Sequence, residues 1–187
     1  MTAVDIEIVK ETFKDIQNKV KDDINSLYQV EENGIRTTVT HTIWKNNIPI
    51  EVWYATGKKR KVIRAGRDID VDMAMKPAIP AKWYPQSCMF ENTRINVSKD
   101  QKVSDLFTPR ALTGLSLILE QINEIKDEKI KNVFDLTLTG TLSQASNLVF
   151  VIRHRAKNDG EEAKAEVGSW VIGYWVPEEH FEINVWN

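Results

Sequence analysis

The spacing of apolar residues along this 187-residue chain changes from a helical period to a strand period and back again. Residues 4–28 carry apolar side chains three and four positions apart, with Lys, Asp and Glu between them, which predicts an amphipathic helix. Residues 37–44 and 48–54 are rich in β-branched and aromatic residues and flank the turn-forming pair Asn46 and Asn47. This pattern predicts a β-hairpin directly after the helix.

The second half of the chain predicts two helices and short strands. Thr108 is a good N-cap residue with Pro109 in the first helical position, and an apolar stripe continues to residue 122. A second helix is predicted over about residues 129–148, with β segments at 149–152 and 170–175. We therefore expect an α+β fold, in which an N-terminal helix and a β-hairpin or ribbon-like lobe precede a helical pair with a few terminal strands.

An irregular connector is predicted between these halves. Residues 76–104 hold three of the six prolines and show no sustained hydrophobic period. We place a boundary in this connector, between a helix and β-hairpin lobe with a basic loop (residues 1–78) and a helical and β lobe (residues 79–187).

The predicted hairpin carries two tryptophans whose role stays open. Strict alternation places Val39 and Ile43 on one face and leaves Trp44 and Trp53 on the faces that carry Thr and Glu. A helix or a neighbouring domain covers them in one interpretation. In the other they form an exposed aromatic surface suited to stacking on an extruded or single-stranded base.

Composition limits the class of protein. A hydrophobic content of 42% and a formal net charge of -2 are those of an ordinary globular domain, and no apolar run reaches the length of a membrane span. The N-terminus is acidic and amphipathic, unlike a signal peptide, so we expect a cytoplasmic protein. The single cysteine, Cys88, excludes an internal disulfide and any multi-cysteine metal site.

Basic residues are concentrated in two places. The smaller of the two clusters contains Arg153 and Arg155, which alternate on a predicted strand, so their side chains would project to the same side. Clustered cations of this kind neutralise phosphates and release counterions, although charge runs also occur simply as solvated faces. The larger cluster, called the basic segment below, consists of Lys58, Lys59, Arg60, Lys61, Arg64 and Arg67.

An acidic stretch follows the basic segment. Asp68, Asp70 and Asp72 alternate with apolar residues, so we expect a strand that carries all three carboxylates on one face. A calcium loop is excluded because Met73 stands where that loop needs a glycine, and no glutamate follows at the twelfth position. These acids are expected to neutralise part of the basic surface.

No catalytic motif is present in the sequence. The three histidines, His41, His154 and His180, lie far apart and show no metal-ligand spacing. The nucleophile elbow, the phosphate-binding loop and the dinucleotide fingerprint are all missing. The chain is therefore not expected to catalyse a reaction by itself or to bind a metal or a cofactor.

Three segments together resemble one family: IPAKWYP (79–85), VSDLFTPRALTGLSLILEQI (103–122) and VGSWVIGYWVPEEHFEINVWN (167–187). They are similar to the middle region of bacterial DNA methylases of the amino-methylating class, which modify adenine N6 or cytosine N4. Neither that family's catalytic motif, an Asp, Asn or Ser before Pro-Pro-Tyr or Pro-Pro-Phe, nor its FxGxG cofactor motif occurs here, and the cysteines of a zinc ribbon found in some members are missing.

The resemblance implies a target-recognition region of a site-specific DNA methyltransferase. S-adenosylmethionine is then expected for the full-length parent only, and the expected partners are double-stranded DNA and the remainder of that enzyme. Arg110 either belongs to the DNA surface, or it pairs locally with Asp105 or solvates the first turn of its helix. The alternative function is a structural or protein-interaction module that docks onto the rest of a modification enzyme. The candidate DNA-binding residues are Lys58, Lys59, Arg60, Lys61, Arg64, Arg67, Arg110, Arg153, Arg155, Trp44 and Trp53.

Overall fold

The computed structural model describes residues 5–56, 59–154, 164–171 and 173–187, and the side chains at 56, 59 and 60 lie outside the described part. Four helices and seven strands are described, with two 3-10 turns at Thr93–Ile95 and Val103–Leu106. This architecture confirms the α+β class. The helices are α1 (Ile6–Ser26), α2 (Asp68–Met75), α3 (Pro109–Asn123) and α4 (Glu128–Ala145). The strands are β1 (Gln29–Glu32), β2 (Ile35–Lys45), β3 (Ile48–Thr56), β4 (Lys59–Ala65), β5 (Val149–Arg153), β6 (Ala165–Trp170) and β7 (Glu179–Ile183).

Local capping explains where three of the helices begin. The side chain of Asp5 accepts a hydrogen bond from the backbone N–H of Glu7 at the start of α1. Thr108 accepts one from the N–H of Ala111 at the start of α3, and Asp127 caps α4 in the same way. Each cap satisfies an N–H group that has no partner inside its helix. The three long helices predicted from the sequence are confirmed.

One antiparallel sheet connects the two halves of the chain. Its strand order is β4-β3-β2-β7-β5-β6, and β1 pairs with β2 at the side of this path. Because β7 lies between β2 and β5, the last strand of the chain joins the predicted hairpin to the strands after α4. The main core likewise combines residues of both halves, such as Ile24 of α1 and Ile122 of α3. The described parts of the two predicted lobes therefore share a sheet and a core.

The predicted faces of the hairpin are wrong because β2 is irregular. Its pairing with β3 shifts register between Val39 and His41 and again between Ile43 and Trp44. Such a bulge changes the side of the sheet on which the following residues lie. Val39 thus packs in the main core, whereas Ile43 packs with Phe181 in a separate cluster.

Residues 68–72 form the first part of helix α2 and not a strand, so the expectation of a shared strand face is also wrong. The carboxylate of Asp70 accepts a hydrogen bond from the backbone N–H of Arg67, 2.8 Å away. This local bond closes the first helical turn, which alternation along five residues does not reveal.

Among the described residues, none of the helices has the length and apolar character that a membrane span needs.

Candidate functional site

The basic segment lies on the β3–β4 hairpin at the edge of the sheet. Lys58 lies outside the described residues, and the side chains of Lys59 and Arg60 are likewise not described. The ammonium nitrogen of Lys61 lies 3.2 Å from the centre of the Trp53 ring, and partial burial lowers the pKa of this lysine. This cation therefore sits over an aromatic face of its own chain.

Arg64 and Arg67 are held by two carboxylates. The guanidinium of Arg64 donates two hydrogen bonds of 2.7 Å to Asp70 and also bonds Glu32. Arg67 donates to the same oxygen of Glu32. Only 13% of the Arg64 side chain is exposed, so a phosphate would have to displace Asp70 to reach it.

Arg153, on strand β5, is likewise paired with acids. It donates to Glu51 of β3 over 2.5 Å and to Glu179 of β7 over 3.1 Å. Its expected companion Arg155 lies outside the described residues. Glu179 also pairs with Lys45, so an acid from the C-terminal part of the chain neutralises two cations of the sheet.

Arg110 belongs to a buried network and not to the surface. Glu182 accepts two hydrogen bonds from Arg110, of 2.9 and 2.7 Å, one from the Thr108 hydroxyl at 2.7 Å and one from the Trp44 indole at 3.0 Å. Burial alone would raise the pKa of Glu182, but the charge of Arg110 and these hydrogen bonds hold it below its usual range. The predicted local partner Asp105 instead accepts from the backbone N–H of Lys102.

Both tryptophans of the hairpin are covered, as in the first of the two interpretations. Trp44 is 1% exposed and Trp53 is 5% exposed. The Trp53 ring meets Phe181 edge-on, with the ring centres 5.0 Å apart, and its indole N–H donates to Glu51. Neither ring presents a free face on which a base could stack.

The pattern of the sequence did not single out Arg36, which lies beside the basic hairpin. This exposed residue precedes Thr37, whose hydroxyl donates to the carbonyl of Ala55 close to the β3–β4 turn. Arg36 makes no ion pair with another residue in the described ranges. Only the pairing of β2 with β3 brings this cation to the same end of the sheet.

Two apolar grooves lie around the 3-10 turn Val103–Leu106. Groove I has a volume of about 490 Å³ and is lined mainly by Met89, Ile95, Val103, Phe107, Leu142 and Tyr174. Groove II has a volume of about 360 Å³ and is lined mainly by Tyr84, Pro85, Phe107, Leu112, Leu119 and Leu142. The two grooves share Val103, Phe107 and Leu142.

Large apolar side chains project around these grooves. Phe90, in the wall of groove I, is 86% exposed, and Trp83, next to Tyr84 of groove II, is 70% exposed. Trp175 follows Tyr174 and is about half exposed. Large apolar side chains that are exposed beside apolar grooves are typical of interaction sites.

Comparison of the chain with protein-family models, with curated proteins and with solved structures finds no match. Across the described part of the chain, no group of three or more His, Cys, Asp or Glu side chains is arranged to hold a metal ion.

Proposed function

We propose that this chain is a non-catalytic docking module of an amino-methylating DNA methylase, and that it packs grooves I and II against the catalytic part of that enzyme. One observation carries the proposal. Each of the three segments on which the methylase resemblance rests contributes to the grooves: residues 79–85 contribute Tyr84 and Pro85, residues 103–122 contribute Phe107, and residues 167–187 contribute Tyr174. The rest of the lining comes from residues 89–97 and from the α4 region.

The physical driving force is the burial of apolar surface. Removing such surface from water stabilises a complex by about 25 cal/mol for each Å². Phe90 and Trp83 are large, rigid side chains that are exposed in the isolated chain, and side chains of this type commonly supply much of the energy of protein interfaces. A partner that covers both grooves would therefore gain more from these two residues than from the charged surface.

The charges favour this function over electrostatic capture of DNA. Arg64, Arg67 and Arg153 are each paired with carboxylates, and Arg110 is buried. A phosphate backbone would have to compete with these intramolecular pairs, whereas the grooves have no competing partner within the described residues.

The test begins with the coding sequence that adjoins this chain. We expect it to encode the catalytic and cofactor motifs of an amino-methylating methylase, either in frame or in a neighbouring gene. That catalytic region should then co-elute with the chain in size-exclusion chromatography. Exchange of the exposed residues, in the variant Phe90→Ser with Trp83→Ser, should weaken the complex at least about tenfold.

A matched control is available on the far hairpin. Ile35 is 62% exposed at the start of β2 and lines neither groove. The variant Ile35→Ser should leave the complex intact. A catalytic region that fails to bind, or that binds the groove variant as well as the unchanged chain, would refute the proposal.

DNA binding through the β3–β4 hairpin is the second candidate function. The observation that favours it is the position of this hairpin at the edge of the sheet, where exposed Arg36 of β2 lies towards the same end as the start of β4 at Lys59. The major groove of DNA admits two antiparallel strands, and the lysines at this edge of the sheet would contact phosphates.

Salt dependence tests this second candidate. Fluorescence anisotropy with labelled duplex DNA should show binding that weakens steeply as salt increases. The slope of log affinity against log salt should fall by about 0.9 for each phosphate contact removed in Lys59→Ala with Arg60→Ala and Lys61→Ala. Alanine at Lys10, Lys14 and Lys21 of α1 is the control with the same charge loss. An equal effect of the two variants would rule out a specific hairpin site.

A further inference from the structure

A polar recess continues from groove I. It has a volume of about 880 Å³ and shares Val97 and Tyr174 with the groove. Three carboxylates line it, against a single ammonium group, that of Lys99. We call this space the acidic recess, and its carboxylates are those of Glu91, Asp100 and Asp105.

Backbone hydrogen bonds hold the walls of the acidic recess together. The N–H of Tyr174 donates to the carbonyl of Ile95 over 2.8 Å, and the N–H of Met89 donates to the carbonyl of Gln101 over 2.7 Å. The bond between Met89 and Gln101 holds residues 88–102 together as one wall, and the bond between Tyr174 and Ile95 joins this wall to the segment that carries Tyr174 and Trp175. The recess therefore exists before any partner binds, which lowers the entropic cost of binding.

The carboxylates of the recess have few partners of their own. Glu91 and Asp100 form no ion pair with any other residue that the structure describes, and one oxygen of Asp105 accepts the backbone N–H of Lys102. In the basic segment, by contrast, Arg64 and Arg67 are both paired with carboxylates. The recess thus presents net negative charge beside an apolar groove.

Aromatic side chains line the same recess. Tyr174 is 40% exposed and Trp175 is 47% exposed, and both contribute to its wall. The face of an aromatic ring attracts a cation, most strongly for the indole of tryptophan. Carboxylates and aromatic faces together favour an ammonium or guanidinium group over a neutral or anionic one.

We propose that groove I and the acidic recess together bind one protein segment in which a large apolar side chain stands next to Lys or Arg. The apolar side chain fills groove I, and the cation enters the recess beside Glu91, Asp100 and the ring of Trp175. This inference rests on the proposed function, since it specifies the chemistry of the surface that the catalytic part of the enzyme would present.

A pair of peptide probes tests the inference without the catalytic region. Both are fluorescein-labelled amphipathic peptides with leucines at the same positions, and one carries Lys where the other carries Glu. The Lys peptide should bind the full chain at least about tenfold more tightly than the Glu peptide. The variant Glu91→Gln with Asp100→Asn should remove most of this preference, and Phe90→Ser should weaken binding of the Lys peptide.

Neutralisation of two acids on α1, Asp22→Asn with Asp23→Asn, is the matched control and should leave the preference unchanged. Equal binding of the two peptides, binding of neither, or equal effects of the recess and control variants would each overturn the inference. Co-elution with the catalytic region that is lost in the groove variant but kept in Glu91→Gln with Asp100→Asn would leave the docking function standing while the acidic recess fails.

Discussion

Arg110 and Glu182 lie 72 positions apart in the chain and form a buried ion pair, with 2.7 Å between Nη2 and Oε2. The pair joins the start of α3 to β7, the strand that completes the centre of the sheet. Both residues come from segments on which the predicted resemblance to the methylases rests, DLFTPR and FEINVW. Those segments therefore have a structural role in this chain. Both side chains are buried and bonded to each other, so neither can contact DNA.

Loss of Arg110 should destabilise the protein strongly. The variant Arg110→Met leaves the carboxylate of Glu182 buried without its charge partner, which should lower the free energy of unfolding by about 3–5 kcal/mol. Arg153→Met is the matched control, since that arginine is partly exposed and should cost only about 1 kcal/mol. Urea denaturation measures both, and equal costs would contradict the prediction.

Stability should decrease as the pH is lowered from about 6.5 to about 4. Burial and the nearby charge of Lys61 lower the pKa of His41 from 6.5 to about 4 in the folded protein. Between these values the unfolded chain binds a proton that the folded protein does not, so stability falls with pH, by up to about 1.4 kcal/mol per pH unit. Below about 4 this contribution levels off because the folded protein also binds the proton.

The variant His41→Gln should reduce this pH dependence. Burial also lowers the pKa of His180, so part of the slope should remain. Chemical denaturation across the pH range checks the result. If the free energy of unfolding changes with pH by the same slope in the variant and in the unchanged protein, His41 does not cause the dependence.

The close approach of α3 to the C-terminal segment makes Gly114 sensitive to substitution. A Cβ atom at Gly114 would lie 2.5 Å from Cγ2 of Val185, so Gly114→Ala should cost about 1–3 kcal/mol through overpacking. Gly140 of α4 has no atom within 4 Å of the same position, and Gly140→Ala should stabilise the helix by about 0.5–1 kcal/mol. Thermal denaturation of the two variants should therefore show shifts of opposite sign.

The β2–β3 turn should prefer glycine to alanine. Asn46 and Asn47 have φ values of 51° and 63°, in the left-handed region that β-carbon sterics disfavour. Asn47→Ala should therefore cost about 1 kcal/mol, whereas Asn47→Gly should be neutral or slightly stabilising. Urea denaturation distinguishes these outcomes, and a loss in the glycine variant equal to that in the alanine variant would contradict the role of backbone conformation.

Local patterns alone were enough to predict most of the regular structure. Helices α1, α3 and α4 follow from apolar spacing and from cap residues such as Thr108, and the β2–β3 hairpin follows from its β-branched residues and its Asn pair. Apolar spacing, cap residues and turn residues each involve only a few neighbouring positions, so they can be recognised in the sequence alone. Helix α2 was not predicted, because a hydrogen bond between the N–H of Arg67 and the carboxylate of Asp70 stabilises its first turn. Strand β7 was not predicted, because its pairing with the distant strand β2 stabilises it.

The sequence by itself therefore determined the α+β class, the long helices, the hairpin and the location of the basic segment in the chain. Only the tertiary structure decided that Glu182 neutralises Arg110, that Glu51 and Glu179 neutralise Arg153, and that Trp44 and Trp53 are covered. The physical reason is that ion pairing and burial depend on distances between side chains that are far apart in the chain. The spacing of residues along the sequence reveals helical and strand periods, but it does not reveal the distances between side chains that are far apart in the chain.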